Sequence, residues 1–232
     1  MANSDLTFTF PPAPRPSVAV DGSTARFPVN RIYCVGRNYT EHAREMGNDE
    51  REPPFFFTKP GDAVIDDGKN IPFPCSTNNL HHEAELVVAI GKDGVNIPVA
   101  DASPYIWGYA AGNDLTRRDM QAMAKKMARP WDMAKGFDHS APCGPLHPVK
   151  DIGHMKKGSI RLLVNGDLRQ NGDIADMIWS PAEIIAHLSA LVALAPGDLI
   201  YTGTPAGVGR LIMGDTVRVE IAGLGPVSTT FS

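Results

Sequence analysis

No stretch of the 232 residues approaches the roughly 20 consecutive apolar positions that a membrane-spanning helix needs. Charge of one sign is not in excess either. The 22 Lys and Arg residues against 26 Asp and Glu leave a net −4, which gives no general attraction for nucleic acid or anionic lipid. Cysteine is scarce. Cys34, Cys75 and Cys143 are odd in number and far apart, which argues against a disulfide framework or a zinc site and for the reduced thiols of the cytoplasm. Cys34 could serve as a nucleophile, but its apolar run "RIYCVG" makes it a core thiol. A nucleotide loop is missing too: "TGTPAGVG" (residues 202–209) has neither the G-x-x-x-x-G-K-[ST] nor the G-x-G-x-x-G pattern. The start, "MANSDLTFTFPPAPRP", has neither the basic region nor the apolar run of a signal peptide. The expectation is a cytoplasmic protein with no nucleic-acid or membrane partner.

What is present is ordinary globular chemistry, 43% hydrophobic and 21% charged. Residues 1–25 are rich in proline and polar side chains and read as an N-terminal arm, with a single domain over 26–232. Ile32 to Val35 reads as a buried strand ending at Gly36, and "RNYTEHAREMG" as a helical turn stopped by Gly47. A short strand, Phe55 to Thr58, lies in a proline-punctuated loop, and "YIWGYAAGNDLT" is an apolar strand that turns at Asn113 and Asp114. A helix is expected over residues 116–129, with Met120, Met123 and Met127 at helical spacing as core residues and Arg117, Lys125, Lys126 and Arg129 on a solvated face. Asn165-Gly166 signals a two-residue hairpin turn. Ser180, Pro181 and Glu183 announce a capped helix to about Ala195. Strands near Thr216–Ile221 and Val227–Phe231 complete a predominantly β, α+β fold. The helices are too few to alternate with strands in a doubly wound sheet.

In "NLHHEAELVVAIGKDG" (residues 79–94), Glu83 and Glu85 interrupt an apolar strand two residues apart. Strand side chains alternate, so the two share a face, roughly 6.5–7 Å apart along the chain, opposite His82, Ala84, Leu86, Val88 and Ile90. They are either the wet face of a sheet or hard oxygen ligands for a divalent cation. Asp114 is the third candidate ligand, with the N-cap of the following helix as its alternative role. Three carboxylates suit Mg²⁺ or Mn²⁺, with Ca²⁺ as a substitute, and do not suit zinc. His42 and Glu45 share a helical face and can form a water-activating pair, or can be surface neighbours. Lys135, flanked by apolar and small residues, is either partly desolvated and available to an oxyanion or a snorkelling structural lysine. His139, His147, His154 and His187 show no ligand spacing.

Seven motifs in order, "YCVGRNYTEHAREM", "PFFFTKP", "NLHHEAELVVAIG", "DLTRRDMQ", "RPWDMAKGFD", "LRQNGD" and "DLIYTGTPAGVG", resemble the fumarylacetoacetate hydrolase family in its short acylpyruvate-hydrolase branch. The resemblance covers residue 26 to the C-terminus. Within it, the proline-rich start and "REPPFFFTKP" are most similar to the members that cleave fumarylpyruvate in aromatic catabolism. The resemblance implies a mixed β-sandwich roll around one divalent metal, Mg²⁺ or Mn²⁺, often in a homodimer. It implies Glu83, Glu85 and Asp114 as metal ligands, His42 and Glu45 as the water-activating dyad, and Gln121 and Lys135 as further catalytic groups. It also implies Arg118, Gly203, Thr204 and Lys59 as substrate contacts. The implied reaction is hydrolysis of a carbon–carbon bond in a 3-acylpyruvate, fumarylpyruvate giving fumarate and pyruvate. Oxaloacetate decarboxylation, isomerisation or decarboxylation of a hydroxy-diene diacid, and noncatalytic binding of a small acid are the alternatives.

Overall fold

Two sheets carry the fold. The first runs, edge to edge, β12 (His147–Pro148), β9 (Ile106–Asn113), β8 (Ala84–Ile90), β15 (Leu199–Tyr201), β3 (Ile32–Gly36) and β4 (Phe55–Lys59). Only β15 and β3 are parallel within it, so the sheet is mixed. The second runs β14 (Asp167–Asp173), β13 (Ser159–Val164), β17 (Thr216–Ile221), β18 (Val227–Phe231) and β6 (Lys69–Ile71). A ribbon of β10 (Thr116–Arg117), β7 (Leu80–His82) and β16 (Gly209–Leu211) lies beside them. Two short pairs complete the set: β1 (Ser17–Ala19) with β2 (Arg26–Pro28), and β5 (Val64–Ile65) with β11 (Ala141–Pro142). The computed structural model describes residues 7–39 and 52–232. The expected helical turn with His42 and Glu45 lies outside the described residues.

Strand β8 explains why its sequence reads as one unbroken apolar run. Leu86, Val88 and Ile90 pack with Ile160, Leu162 and Val219 of the second sheet. Val87 and Ala89 enter a separate cluster with Ile32, Cys34 and Tyr201. Both faces are therefore covered, and alternation of polarity is lost along the strand. Glu85 has the same parity as Val87 and Ala89, at the end where that second cluster gives way to a cavity.

The expected strand through both glutamates is two strands, broken at Glu83. There the Asn113 side chain replaces a ladder partner: its Oδ1 accepts from the Glu83 N–H at 2.9 Å. Asp114 N–H donates to the Glu83 carbonyl at 2.9 Å. Since Ala84 is paired with Asn113, Glu83 and Asp114 are cross-strand neighbours at the mouth of the sheet. The hairpin at Asn165-Gly166 forms as expected, with both residues left-handed (φ 53° and 88°). Ser180 and Glu183 close a capping box on a helix over Pro181–Leu191, which stops short of Ala195 because Val192 is extended.

The helix after Asp114 spans Arg118–Lys126, shorter than expected, and its methionines are not core residues. Met123 is 62% exposed and Met127 48%. The inward stripe is polar instead. Arg118, Gln121 and Lys125, three and four residues apart, face the cavity, and only Gln121 is buried on this helix. Apolar periodicity picked the wrong face because the helix packs against an ionic site. Lys125 is exposed as expected, yet its ammonium lies 4.9 Å from the Trp131 ring centroid, and the half-buried Arg117 guanidinium lies 4.3 Å from that of Phe137.

Candidate metal centre and substrate cavity

Glu83, Glu85 and Asp114 each bring a carboxylate oxygen to within 4.8 Å of the others, and all three are buried. A wet sheet face is excluded for the glutamates, and Asp114 does not cap the helix, whose first turn is preceded by Arg117. Buried like charges must be compensated. Lys135 Nζ lies 2.8 Å from Glu83 Oε2 and 2.5 Å from Asp114 Oδ2. Arg118 donates from its guanidinium to Glu83 Oε1. Lys59 Nζ sits 2.8 Å from Asp114 Oδ1, outside hydrogen-bonding direction, and donates instead to the carbonyls of Leu115 and Lys135. Lys135 thus holds its ammonium inward and does not snorkel.

Glu85 is treated differently. Among the described residues it has no ion-pair partner; its Oε2 accepts only the Gly203 N–H, at 2.8 Å. Burial, then the neighbouring Asp114 and Glu83 carboxylates, push the Glu85 carboxyl well above the usual range. Burial also acts to raise Glu83, but the Lys135 and Arg118 cations outweigh it and hold Glu83 below the usual range. Burial would lower Lys135, and Asp114 and Glu83 reverse that, so it stays protonated. A crowded all-oxygen triad with one uncompensated carboxylate and an Asp114 Oδ1 lacking a hydrogen bond fits a hard divalent cation. It does not fit zinc, which favours nitrogen and sulfur.

Above the triad opens a cavity of about 260 Å³. Its wall includes Thr204, Gln121, Arg118 and Lys135, an aromatic group of Phe55, Phe57 and Trp131, and Arg37, Lys125 and His81. Arg118 also donates to Gln121 Oε1 at 2.7 Å, which leaves the Gln121 NH₂ for another acceptor. Lys59 lies behind the carboxylates and off this wall, and the Gly203 amide is committed to Glu85. Gly203 adopts φ 96°, and a Cβ there would meet the Asn38 Cβ at 2.7 Å, so only glycine lets the loop reach Glu85.

Two further residues of the site, Gln170 and His81, lie inside the quoted motifs but are not singled out there by residue type or spacing. Gln170 on β14 bonds across three segments. Its Oε1 accepts from Ala84 N–H at 3.0 Å and lies 3.1 Å from His82 Nδ1, while its Nε2 donates to Thr204 Oγ1 and the Pro205 carbonyl. Gln170 falls within the motif "LRQNGD", and it is the one fully buried residue of β14. Burial and Arg118 push His81 down to about 4, so it is neutral at ordinary pH, with Nε2 3.0 Å from Asn79 Oδ1.

Residues 31–232 match the family described as fumarylacetoacetate (FAA) hydrolase C-terminal. The chain belongs to the fumarylacetoacetate hydrolase family. The solved fumarylpyruvate hydrolase of Pseudomonas aeruginosa, in complex with Mn²⁺ and pyruvate, is similar to this family member at 49% identity and TM-score 0.94. That match covers 97% of this chain and 99% of the other. The Ralstonia fumarylpyruvate hydrolase is 41% identical over 77% of this chain and 93% of its own length. The human mitochondrial oxaloacetate tautomerase is 44% identical over 86% of this chain and 90% of its own. The α+β fold of the family is thereby established for this chain, as is its kinship with enzymes named for fumarylpyruvate and oxaloacetate, one of them solved with Mn²⁺ bound.

Proposed function

We propose that the protein is a divalent-metal-dependent hydrolase of 3-acylpyruvates, acting on fumarylpyruvate to give fumarate and pyruvate in the cytoplasm. The observation that carries this is the buried carboxylate triad, with Lys135 and Arg118 bound to it, at the floor of a cavity. The near-complete match to an enzyme crystallised with Mn²⁺ and pyruvate supports both the metal and the 2-oxo acid. A divalent cation held by Glu83, Glu85 and Asp114 supplies Lewis acidity toward such an acid.

The rest falls to the protein's side chains. Thr204, held by Gln170, offers a hydroxyl to the substrate carboxylate. The Lys135 ammonium and the Gln121 amide are assigned as donors to the oxygen that gains charge when water adds to the acyl carbon. The water proton passes to His42, with Glu45 behind it. The bond between the acyl carbon and C3 of the pyruvate unit then breaks, and C3 regains a proton. His42 and Glu45 enter this reading from sequence alone.

The 44% identity to an oxaloacetate tautomerase favours a second reading, chemistry on oxaloacetate at the same site. Loss of fumarylpyruvate absorbance, with Mn²⁺ and after chelation, measured beside oxaloacetate turnover, tests the choice. Hydrolysis is expected to dominate, to vanish with the metal, and to fall about 10²–10⁴-fold in His42→Ala while that variant still binds Mn²⁺. Faster turnover of oxaloacetate would replace the proposal with the second reading. Binding of both acids without turnover would make the protein a small-acid binder.

A further inference from the structure

Part of the cavity wall carries cations that make no hydrogen bond or ion pair to the triad among the described residues. Arg37 leaves β3 directly after Gly36, and Lys125 is in the last turn of the Arg118–Lys126 helix; both line the cavity. Between them stands an aromatic pair. The Arg37 guanidinium is 5.7 Å from the Phe55 ring centroid, Phe55 meets Trp131 edge-on at 5.3 Å, and the Lys125 ammonium is 4.9 Å from the Trp131 ring. Among the described residues, neither cation is in an ion pair.

The backbone is built to hold this arrangement. Arg37 adopts φ 61°, a left-handed conformation that non-glycine residues seldom take and that clusters where function needs it. A Cβ on Gly36 would fall 1.9 Å from the Phe55 ring, so glycine at that position lets Phe55 lie beneath the guanidinium. The charge points the same way. Four cations, Arg37, Arg118, Lys125 and Lys135, line the cavity against three carboxylates, and a divalent ion on the triad adds two more positive charges. A monocarboxylate leaves most of that excess unmatched; a dicarboxylate removes more of it.

We propose that Arg37 and Lys125 form the receptor for a second carboxylate, so that the site selects 2-oxo dicarboxylates whose chain lies against Phe55 and Trp131. This rests on the reading of the triad as a 2-oxo-acid site and names the group that fixes its substrate class. Arginine supplies a planar fork for the carboxylate and lysine a mobile point charge at the cavity mouth.

The test is equilibrium binding, independent of turnover, of 2-oxoheptanedioate and 2-oxoheptanoate to the Mn²⁺-loaded protein by calorimetry. The two acids share chain length and head group and differ in the far carboxylate; neither carries the acyl group whose loss is the proposed reaction. The diacid is expected to bind about 10–100-fold more tightly. That ratio should shrink about tenfold in Arg37→Met and in Lys125→Met, and should be partly kept in Arg37→Lys. The Lys125 side chain is solvent-exposed where it lines the cavity, so its variant tests the receptor even where Arg37→Met folds poorly. Equal affinity for the two acids in the unaltered protein, or variants that weaken both alike, would overturn the receptor. Binding of neither acid would overturn it together with the reading of the triad. A kept diacid preference without fumarylpyruvate hydrolysis would remove the hydrolase proposal and leave this one standing.

Discussion

Lys135 is where the charge balance of the site turns. It reaches two of the three carboxylates from a buried position, and burial alone would lower its pKa. Replacing it with methionine leaves Glu83 and Asp114 facing each other with less compensation. Removing one partner of such a buried network typically costs about 3–5 kcal/mol. Lys135→Met is therefore predicted to lower the denaturant midpoint of the metal-free protein strongly and to bind Mn²⁺ more tightly, because a competing cation is gone. Turnover should fall even with the metal bound, since a donor to the developing oxyanion is lost. A variant with unchanged metal-free stability would mean that the ammonium is not the counterion drawn here. Residue-scale reasoning from sequence named the triad and Lys135 as candidates, because carboxylates and a lysine in apolar surroundings demand an explanation, but left their structural alternatives open until the family resemblance chose between them. It did not reach Arg37 or His81, since a lone cation or histidine beside polar neighbours is an ordinary surface pattern.

The element that gathers the site is the β8–β9 pair, whose register sets Glu83 across from Asp114. Gln170 ties that pair to the 202–205 loop from the other sheet. Its replacement by leucine strands buried donors and acceptors, at about 1–3 kcal/mol. Gln170→Leu is predicted to lower stability by that amount in denaturant titration and to raise KM more than it changes Mn²⁺ affinity, because Thr204 is released and the carboxylates are not. A stability change under about 0.5 kcal/mol would contradict the bridge. The Asn165-Gly166 hairpin, the Ser180 capping box and the terminal strands were legible because local chemistry decides them. The Arg118–Lys126 helix was misread at Met123 and Met127 because tertiary packing chose its phase. The break at Glu83 was invisible because a side chain, Asn113, takes over a backbone partner there.

Across the whole molecule, two apolar clusters flank the first sheet, and the ion site sits where one of them ends. That placement keeps the triad buried and crowded, which raises Glu85 and leaves it short of positive charge. No helix among the described residues is long and apolar enough to cross a membrane. The site's readiness for a cation is thus a property of the fold as a whole, and because Glu85 holds a proton more tightly than a free carboxyl, a cation competes with that proton. Affinity should then rise with pH above the ordinary carboxylate range, since the proton competes less as pH increases. Titration of Mn²⁺ into chelator-stripped protein at several pH values, beside Glu85→Gln, measures this directly. The account predicts one ion per chain, tighter binding as pH rises, and little binding in the variant; absent binding, or equal binding in the variant, would contradict it.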